Sequence, residues 1–279
     1  MKPASFFIAV LCAFAWGPYA VNAGPKSAAD KKAILAAICQ KGQIRKGMCR
    51  RARDYPEGRN CDIGLTGEGG EGRFLVGDDT SYLVAAYTSG CEPHANNWGG
   101  SLIFERGKRR KLAFLGYQPG MAVKDCLTMA RADGGDRLVC AAGWMGQGYQ
   151  TEMIGEVVLK KDTDGKVTAG LEERISASRS EDARGANSVE CGKPVMFFGF
   201  GKLMPGPSPE SIMVQTDYAP EPLIRMLCAK PDRNAVLGTE PPLDNEAYIA
   251  KKQELKGWWI YDLAKRELLP AEKTPAPQR

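Results

Sequence analysis

Short runs of apolar and β-branched residues, separated by turn residues, dominate the middle of the chain. Glycine and aspartate stand between neighbouring runs, and this spacing predicts β-hairpins. The predicted strand pairs are 73–77 with 82–88, 101–105 with 111–115, 125–131 with 137–142, and 154–161 with 167–175. Further strands are predicted at 193–201, 211–216 and 258–263, with a short return at 268–269. The predicted fold class is mainly β, with antiparallel hairpins that form a sandwich or a small propeller-like domain.

One segment bears on the choice between these two architectures. Residues 259–263, followed by Lys265 and Arg266, resemble the strand and turn of a propeller blade. A propeller would also show a repeat of about 40 to 50 residues, and the chain has no clean repeat of that length. Both architectures therefore stay open at this point.

Helical patterns lie on either side of the β region. Ser27 and Asp30 have the spacing of a helix N-cap, and three apolar residues then share one face: Ile34, Leu35 and Ile38. This pattern predicts a short helix at 28–41 that ends before Gly42. Asp244 and Gly257 bound a second predicted helix at 244–256.

The first residues have the pattern of a secretory signal peptide. Lys2 precedes an apolar stretch of eleven residues at 6–16, which is too short to span a membrane. Small residues ending at Ala23 form the expected cleavage site. We therefore expect cleavage after Ala23 and a periplasmic or secreted protein, with no transmembrane segment after signal removal.

Four parts of the chain follow from these patterns. They are a signal peptide at 1–23, an N-terminal helix and basic loop at 24–60, a disulfide-bonded β domain at 61–269, and a disordered Pro-rich tail at 270–279. At the start of the β domain, the glycine-rich stretch 64–72 is predicted to be an exposed flexible loop. It lacks the glycine and lysine spacing of a phosphate-binding loop.

The cysteines agree with export. Cys12 leaves with the signal peptide, and the eight that remain predict four disulfides in an oxidising compartment. Cys126 and Cys140 are the most secure pair, because a tight turn places them opposite each other on adjacent strands. Proximity along the chain completes the predicted set: Cys39–Cys49, Cys61–Cys91 and Cys191–Cys228.

Candidate contact residues lie in two glycine-rich loops, 90–100 and 143–149, where exposed aromatic side chains would form a contact surface. They are His94, Trp98, Trp144 and Tyr149. Two basic segments, 41–53 and 106–111, are candidates for binding anionic glycans or lipid head groups. The formal net charge of +5 falls to +4 without Lys2, which is too small to predict a nucleic-acid partner.

No catalytic residue, metal site or cofactor is predicted. His94 is the only histidine, and the chain has neither a GxSxG nor a CxxC motif. We therefore favour an exported non-catalytic binding or envelope protein whose partner is an envelope glycan or another exported protein. One alternative is an inhibitor or partner of another exported protein. The other is a secreted glycan-directed hydrolase that uses carboxylates on the loop rim, for which the candidates are Asp78, Asp79, Glu92, Glu152 and Glu156.

Overall fold

The protein is mainly β, and its strands form three antiparallel sheets. The computed structural model describes residues 27–56, 61–90, 99–132, 134–146, 149–180, 195–222, 225 and 256–271. The helix α1 spans Ala28–Ile38. The first sheet contains β1 (Ile44–Arg45), β2 (Met48–Cys49), β3 (Ile63–Gly72), β4 (Ser81–Ser89), β5 (Gly99–Arg106) and β6 (Leu112–Pro119). The second contains β7 (Val123–Ala130), β8 (Asp136–Gly146), β9 (Tyr149–Lys161) and β10 (Val167–Ser180), and the third contains β11 (Val195–Pro205), β12 (Ser211–Pro220), β13 (Lys256–Asp262) and β14 (Glu267–Pro270).

The helix and the three sheets stack as successive layers with an apolar core between each pair. The first sheet curls as a half-barrel around α1, and Ile34 of the helix is buried with Phe104 of β5 in the first core. Val84 of β4 and Leu138 of β8 lie in the second core, between the first two sheets. The third core joins the second sheet to the third, and Ile154 of β9 lies there.

Strand β4 shows how this layering shapes the sequence. Its residues Leu83, Ala85 and Tyr87 face the helix layer, whereas Tyr82, Val84 and Ala86 face the second sheet. Because both faces are covered, the strand is a continuous apolar run instead of an alternating one. The same holds for residues 138–142 of β8, all of which are buried.

The predicted helix at 28–41 is confirmed over its first eleven residues. The Ser27 hydroxyl accepts a hydrogen bond from the Asp30 backbone N–H at 2.9 Å, as an N-cap does. The helix ends at Ile38, before the predicted residue 41, because Cys39 has an extended backbone and forms a disulfide with Cys49.

The predicted flexible loop at 64–72 is wrong, because these residues form most of β3. A Cβ on Gly70 would lie 2.4 Å from Leu138 Cδ1 and 2.7 Å from Thr128 Oγ1 on the second sheet. Gly69 has a φ of +124°, and its Cβ would lie 2.0 Å from the Val84 carbonyl oxygen. Gly70 is therefore where the second sheet approaches β3 closely, and Gly69 is where β3 lies tightly against β4, so these glycines are not a flexible segment. The predicted strand at 73–77 is also wrong. The strand β3 ends at Gly72, and residues 73–77 belong to the connection between β3 and β4.

The other three predicted hairpins are confirmed as β5–β6, β7–β8 and β9–β10. The later predicted strands correspond to β11, β12, β13 and β14. Of the predicted helix at 244–256, only Lys256 is described, and it begins β13. Pro270 ends β14 and is not part of the tail, and residues 272–279 lie outside the described residues, as does the predicted signal peptide.

Two of the four predicted disulfides are seen. Cys39–Cys49 and Cys126–Cys140 have Cα–Cα distances of 5.5 and 4.1 Å. Cys61 is a disulfide cysteine, and its predicted partner Cys91 lies outside the described residues. So does the predicted pair Cys191–Cys228. Buried disulfides of this kind are compatible with an extracellular or periplasmic protein.

The strand registers give the molecule two distinct ends. At the turn end, short connections follow Gly72, Arg106, Ala130, Lys161, Pro205 and Asp262. The hairpin end carries the C-terminus of α1, the strands β1 and β2, and the strand residues Gly99, Gly146 and Tyr149. Helix α1 runs from one end to the other, since Asp30 contacts Arg106 at 3.2 Å and the Tyr117 hydroxyl lies 3.5 Å from the Ile38 carbonyl oxygen.

Candidate functional site

The strands β1 and β2 form a small basic hairpin at the hairpin end. Ile44 pairs with Cys49 and Arg45 pairs with Met48, so Lys46 and Gly47 make a two-residue turn. Both turn residues have positive φ, 51° and 74°, which is typical of a type I′ turn. The turn presents the Arg45 and Lys46 side chains to solvent.

The hairpin is fixed to the rest of the first sheet by covalent and backbone contacts. The buried Cys39–Cys49 disulfide joins it to the end of α1. The Gln40 backbone N–H donates to the Arg51 carbonyl at 3.0 Å, and the Arg50 N–H donates to the Gln43 carbonyl at 2.8 Å. These links hold a segment of only two short strands in one conformation.

Two arginines of the basic segment have structural partners. Arg50 Nη1 contacts Asp62 Oδ2 at 2.7 Å. The Arg53 guanidinium donates to the carbonyl oxygens of Ala36 and Ala37, where it satisfies the open C-terminal end of α1. These two cations are therefore committed to the fold.

The remaining four cations of the segment are exposed: Lys41, Arg45, Lys46 and Arg51. We call them the hairpin patch. Within the described part of the chain, no carboxylate lies within ion-pair distance of any of them. Four like charges on one short segment raise the local potential, which attracts anions.

The hairpin patch borders a shallow concavity. Its volume is about 390 Å³, and it is lined by Gln43, Arg45, Lys46 and Arg50. Guanidinium and ammonium groups are donors for sulfate, phosphate or carboxylate oxygens, and the Gln43 amide is a further donor. An open surface lined by cations and an amide suits one unit of a larger anionic molecule. An apolar ligand would instead need an enclosed pocket.

Three tyrosines support the hairpin from beneath. The rings of Tyr55, Tyr87 and Tyr117 pack edge to face, with centroids 5.1 to 6.4 Å apart. The Tyr117 hydroxyl donates to the Arg53 carbonyl at 2.7 Å, and burial raises the pKa of Tyr117 well above its usual range. The cluster is therefore neutral packing that positions the basic segment.

A second cavity, of about 150 Å³, lies at the turn end between the β3–β4 loop and the β7–β8 turn. Arg73 and Arg131 line it. Arg73 contacts Asp79 at 3.9 Å and Asp136 at 3.8 Å, and Arg131 contacts Glu156 at 3.8 Å. Because carboxylates already accompany both cations, we assign no ligand to this cavity.

The predicted carboxylates Glu152 and Glu156 both lie on β9 and are both engaged. Glu152 contacts Lys124 at 3.3 Å and accepts a hydrogen bond from the Phe200 backbone N–H at 2.7 Å. Glu156 contacts Arg174 at 2.9 Å. Because a cation of the fold already engages each carboxylate, neither is presented as a free acid or base for a hydrolase.

The other predicted carboxylates form no catalytic pair in the described residues. Asp78 accepts hydrogen bonds from the Thr80 backbone N–H at 2.8 Å and the Tyr82 hydroxyl at 3.1 Å, and the bonds from Thr80 lower its pKa. Asp79 is fully exposed beside Arg73. Glu92 lies outside the described residues.

The predicted contact residues are only partly placed. His94 and Trp98 lie outside the described residues, between Gly90 and Gly99 at the hairpin end. The prediction that 143–149 is a loop is wrong for most of it, since Trp144 belongs to β8 and Tyr149 to β9. Long β-strands replace the loop because the ladder continues to the pair Gly146–Tyr149. Whether these four residues contact a ligand stays a prediction.

The hairpin patch was recognisable in the sequence only as part of a basic segment. The Lys-Gly turn between two short β-prone pairs, with Cys39 and Cys49 on either side, is the signal that marks a fixed hairpin. Which cations of the segment are available to a ligand depends on the partners of Arg50 and Arg53, and no local pattern in the sequence indicates those partners.

In the described residues, no group of three or more His, Cys, Asp or Glu side chains is placed to hold a metal ion. No helix among those residues has the length and apolar character needed to cross a membrane. Compared with known proteins, the chain matches no family model, no curated protein and no solved structure.

Proposed function

We propose that this is an exported, non-catalytic binding protein that holds an anionic envelope glycan through the hairpin patch. The observation that carries the proposal is a set of four exposed cations without carboxylate partners in the described residues, two on a hairpin fixed by a buried disulfide and two flanking it. A rigid basic surface binds a polyanion without the entropic cost of ordering a flexible loop.

The chemistry of the concavity supports the same class of ligand. Arg45 offers a planar guanidinium that matches sulfate or carboxylate oxygens, and Lys46 adds a point charge beside it. Neither side chain has to break an internal ion pair on binding, in contrast to Arg50, which contacts Asp62 at 2.7 Å.

The test is the affinity of the purified, oxidised protein for heparin oligosaccharides, used as a model sulfated glycan, at about 0.15 M salt. The double variant Arg45→Glu with Lys46→Glu should lose at least about tenfold in affinity. A matched control, Lys160→Glu with Lys166→Glu, changes the net charge by the same amount at exposed positions beside the β9–β10 turn. It should bind within about twofold of the parent protein.

The salt dependence adds a second readout. Raising the salt from 0.1 to 1 M shortens the Debye length from about 10 to 3 Å, so binding through exposed cations should weaken steeply. Equal affinities of the hairpin variant and its control would overturn the proposal. So would binding that is insensitive to salt.

A further inference from the structure

A second basic cluster lies at the opposite end of α1. The short 3-10 turn Lys108–Arg110 and the residue after it carry three exposed cations, Lys108, Arg109 and Lys111. We call them the turn cluster. Among the described residues, no carboxylate lies within ion-pair distance of these three side chains. The turn cluster therefore carries three uncompensated positive charges, compared with four at the hairpin patch.

Contacts at both ends of the helix place the two clusters apart. Arg106, directly before the turn cluster, contacts Asp30 in the first turn of α1 at 3.2 Å. At the other end, Tyr117 donates to the carbonyl of Arg53, next to the hairpin patch. Eleven helical residues span about 16 Å along the axis, which sets the scale of the separation between the clusters.

The exposed face of α1 carries alanines and one lysine and no unpaired acid. The outward face of α1 exposes Ala28, Ala29, Lys32, Ala33 and Ala36. The one acidic residue of the helix, Asp30, is engaged by Arg106 and by the Ser27 hydroxyl at 2.7 Å. The exposed residues of α1 are therefore small or positively charged, and an anionic polymer that follows the helix meets no free carboxylate of the helix itself.

We propose that the hairpin patch and the turn cluster bind one anionic polymer together, with the chain lying along the exposed face of α1. This inference rests on the proposed function and extends it from one site to a track that spans the molecule. At physiological salt the Debye length is about 8 Å, so a small anion at one cluster does not sense the other. A chain longer than the helix engages both, and the second contact becomes intramolecular.

The same surface argues for a polymer and against a membrane. Lipid binding by a peripheral surface is strengthened by large apolar side chains that enter the acyl boundary. Along this track in the described residues, Ile44 is the one large hydrophobic side chain that is clearly exposed, at 41%. The alanines of α1 offer little apolar area.

The experiment measures affinity for heparin oligosaccharides of increasing length, from the disaccharide to chains several times longer than α1. For the parent protein, chains that exceed the span should bind at least about tenfold tighter than the shortest. Lys108→Glu with Lys111→Glu should remove that gain, so that long chains bind no tighter than the disaccharide does. Arg45→Glu with Lys46→Glu should weaken both, and the control pair Lys160→Glu with Lys166→Glu should weaken neither.

The outcomes separate the two proposals. If the turn-cluster variant keeps the parent's length dependence while the hairpin variant loses affinity, the track is overturned and the single-site function stands. If neither variant differs from the control, both proposals fail. Tighter binding to vesicles with anionic lipids than to the longest oligosaccharide would replace the polymer by a membrane and also overturn the track.

Discussion

The glycines of β3 yield the sharpest test of the layered fold. Adding a Cβ at Gly70 places it 2.4 Å from Leu138 Cδ1 and 2.7 Å from Thr128 Oγ1, both far inside normal contact. Overpacking of this kind costs about 1 to 3 kcal/mol, because the second sheet must move or the side chains must leave their rotamers. Gly70→Ala should therefore lower the free energy of unfolding by that amount.

Gly69→Ala should be more severe. Its φ of +124° disfavours any residue with a side chain, and its Cβ would lie 2.0 Å from the Val84 carbonyl oxygen, which is backbone and cannot rotate away. Backbone strain adds about 1 to 3 kcal/mol to the cost of the clash. We expect a loss of at least about 3 kcal/mol, or no folded protein.

The assay is urea unfolding of the oxidised protein, followed by tryptophan fluorescence. Gly116→Ala is the matched control, since Gly116 lies in β6 of the same sheet with nothing within 4 Å of its added Cβ and no positive φ. It should change stability by less than about 1 kcal/mol. Equal stabilities of the Gly70→Ala and Gly116→Ala variants would refute the close contact between the first two sheets.

Two further predictions concern the disulfides and the buried tyrosines. Cys39→Ala with Cys49→Ala and Cys126→Ala with Cys140→Ala should each cost about 3 kcal/mol of stability, because the closed loops are of similar length. Only the variant without the Cys39–Cys49 disulfide should have a lower heparin affinity and faster amide exchange at residues 43–51. An equal loss of affinity in the second pair would contradict the role given to the hairpin. Burial, assisted by the Asp78 hydrogen bond, raises the pKa of Tyr82 from 10.0 to about 12. The stability that this shift provides is complete below pH 10 and is lost as pH rises toward 12. Tyr82→Phe should therefore lose less stability than the parent between pH 9 and pH 12 in urea titrations, and an identical decline would disprove this.

Local patterns predicted much of the fold. Three hairpins, the later strands and the start of α1 follow from turn residues, β-branched runs and a capping serine, all of which act over a few residues. Local patterns did not predict β3, because glycine has a low strand propensity. The need for glycine at position 70 comes from Leu138 and Thr128, about 60 residues away in the chain. Tertiary contacts, and not local preference, determine the conformation of that segment.

The candidate site, too, could be predicted from the sequence only in part. The basic segment 41–53 is visible in the sequence, but two of its arginines bind Asp62 and the end of α1, and only contacts in the fold reveal this. The relation between the hairpin patch and the turn cluster is also invisible locally. It depends on the direction of α1 across the curled sheet, which Asp30 and Tyr117 report at its two ends.

The most direct measurement is a lysine footprint of the protein with and without a bound heparin chain. Acetylation would be quantified at each lysine by mass spectrometry. We expect strong protection of Lys41 and Lys46, protection of Lys108 and Lys111 with long chains only, and no protection of Lys160 and Lys166. Equal protection of all exposed lysines, or protection centred away from the hairpin patch, would show that the glycan does not bind at the hairpin.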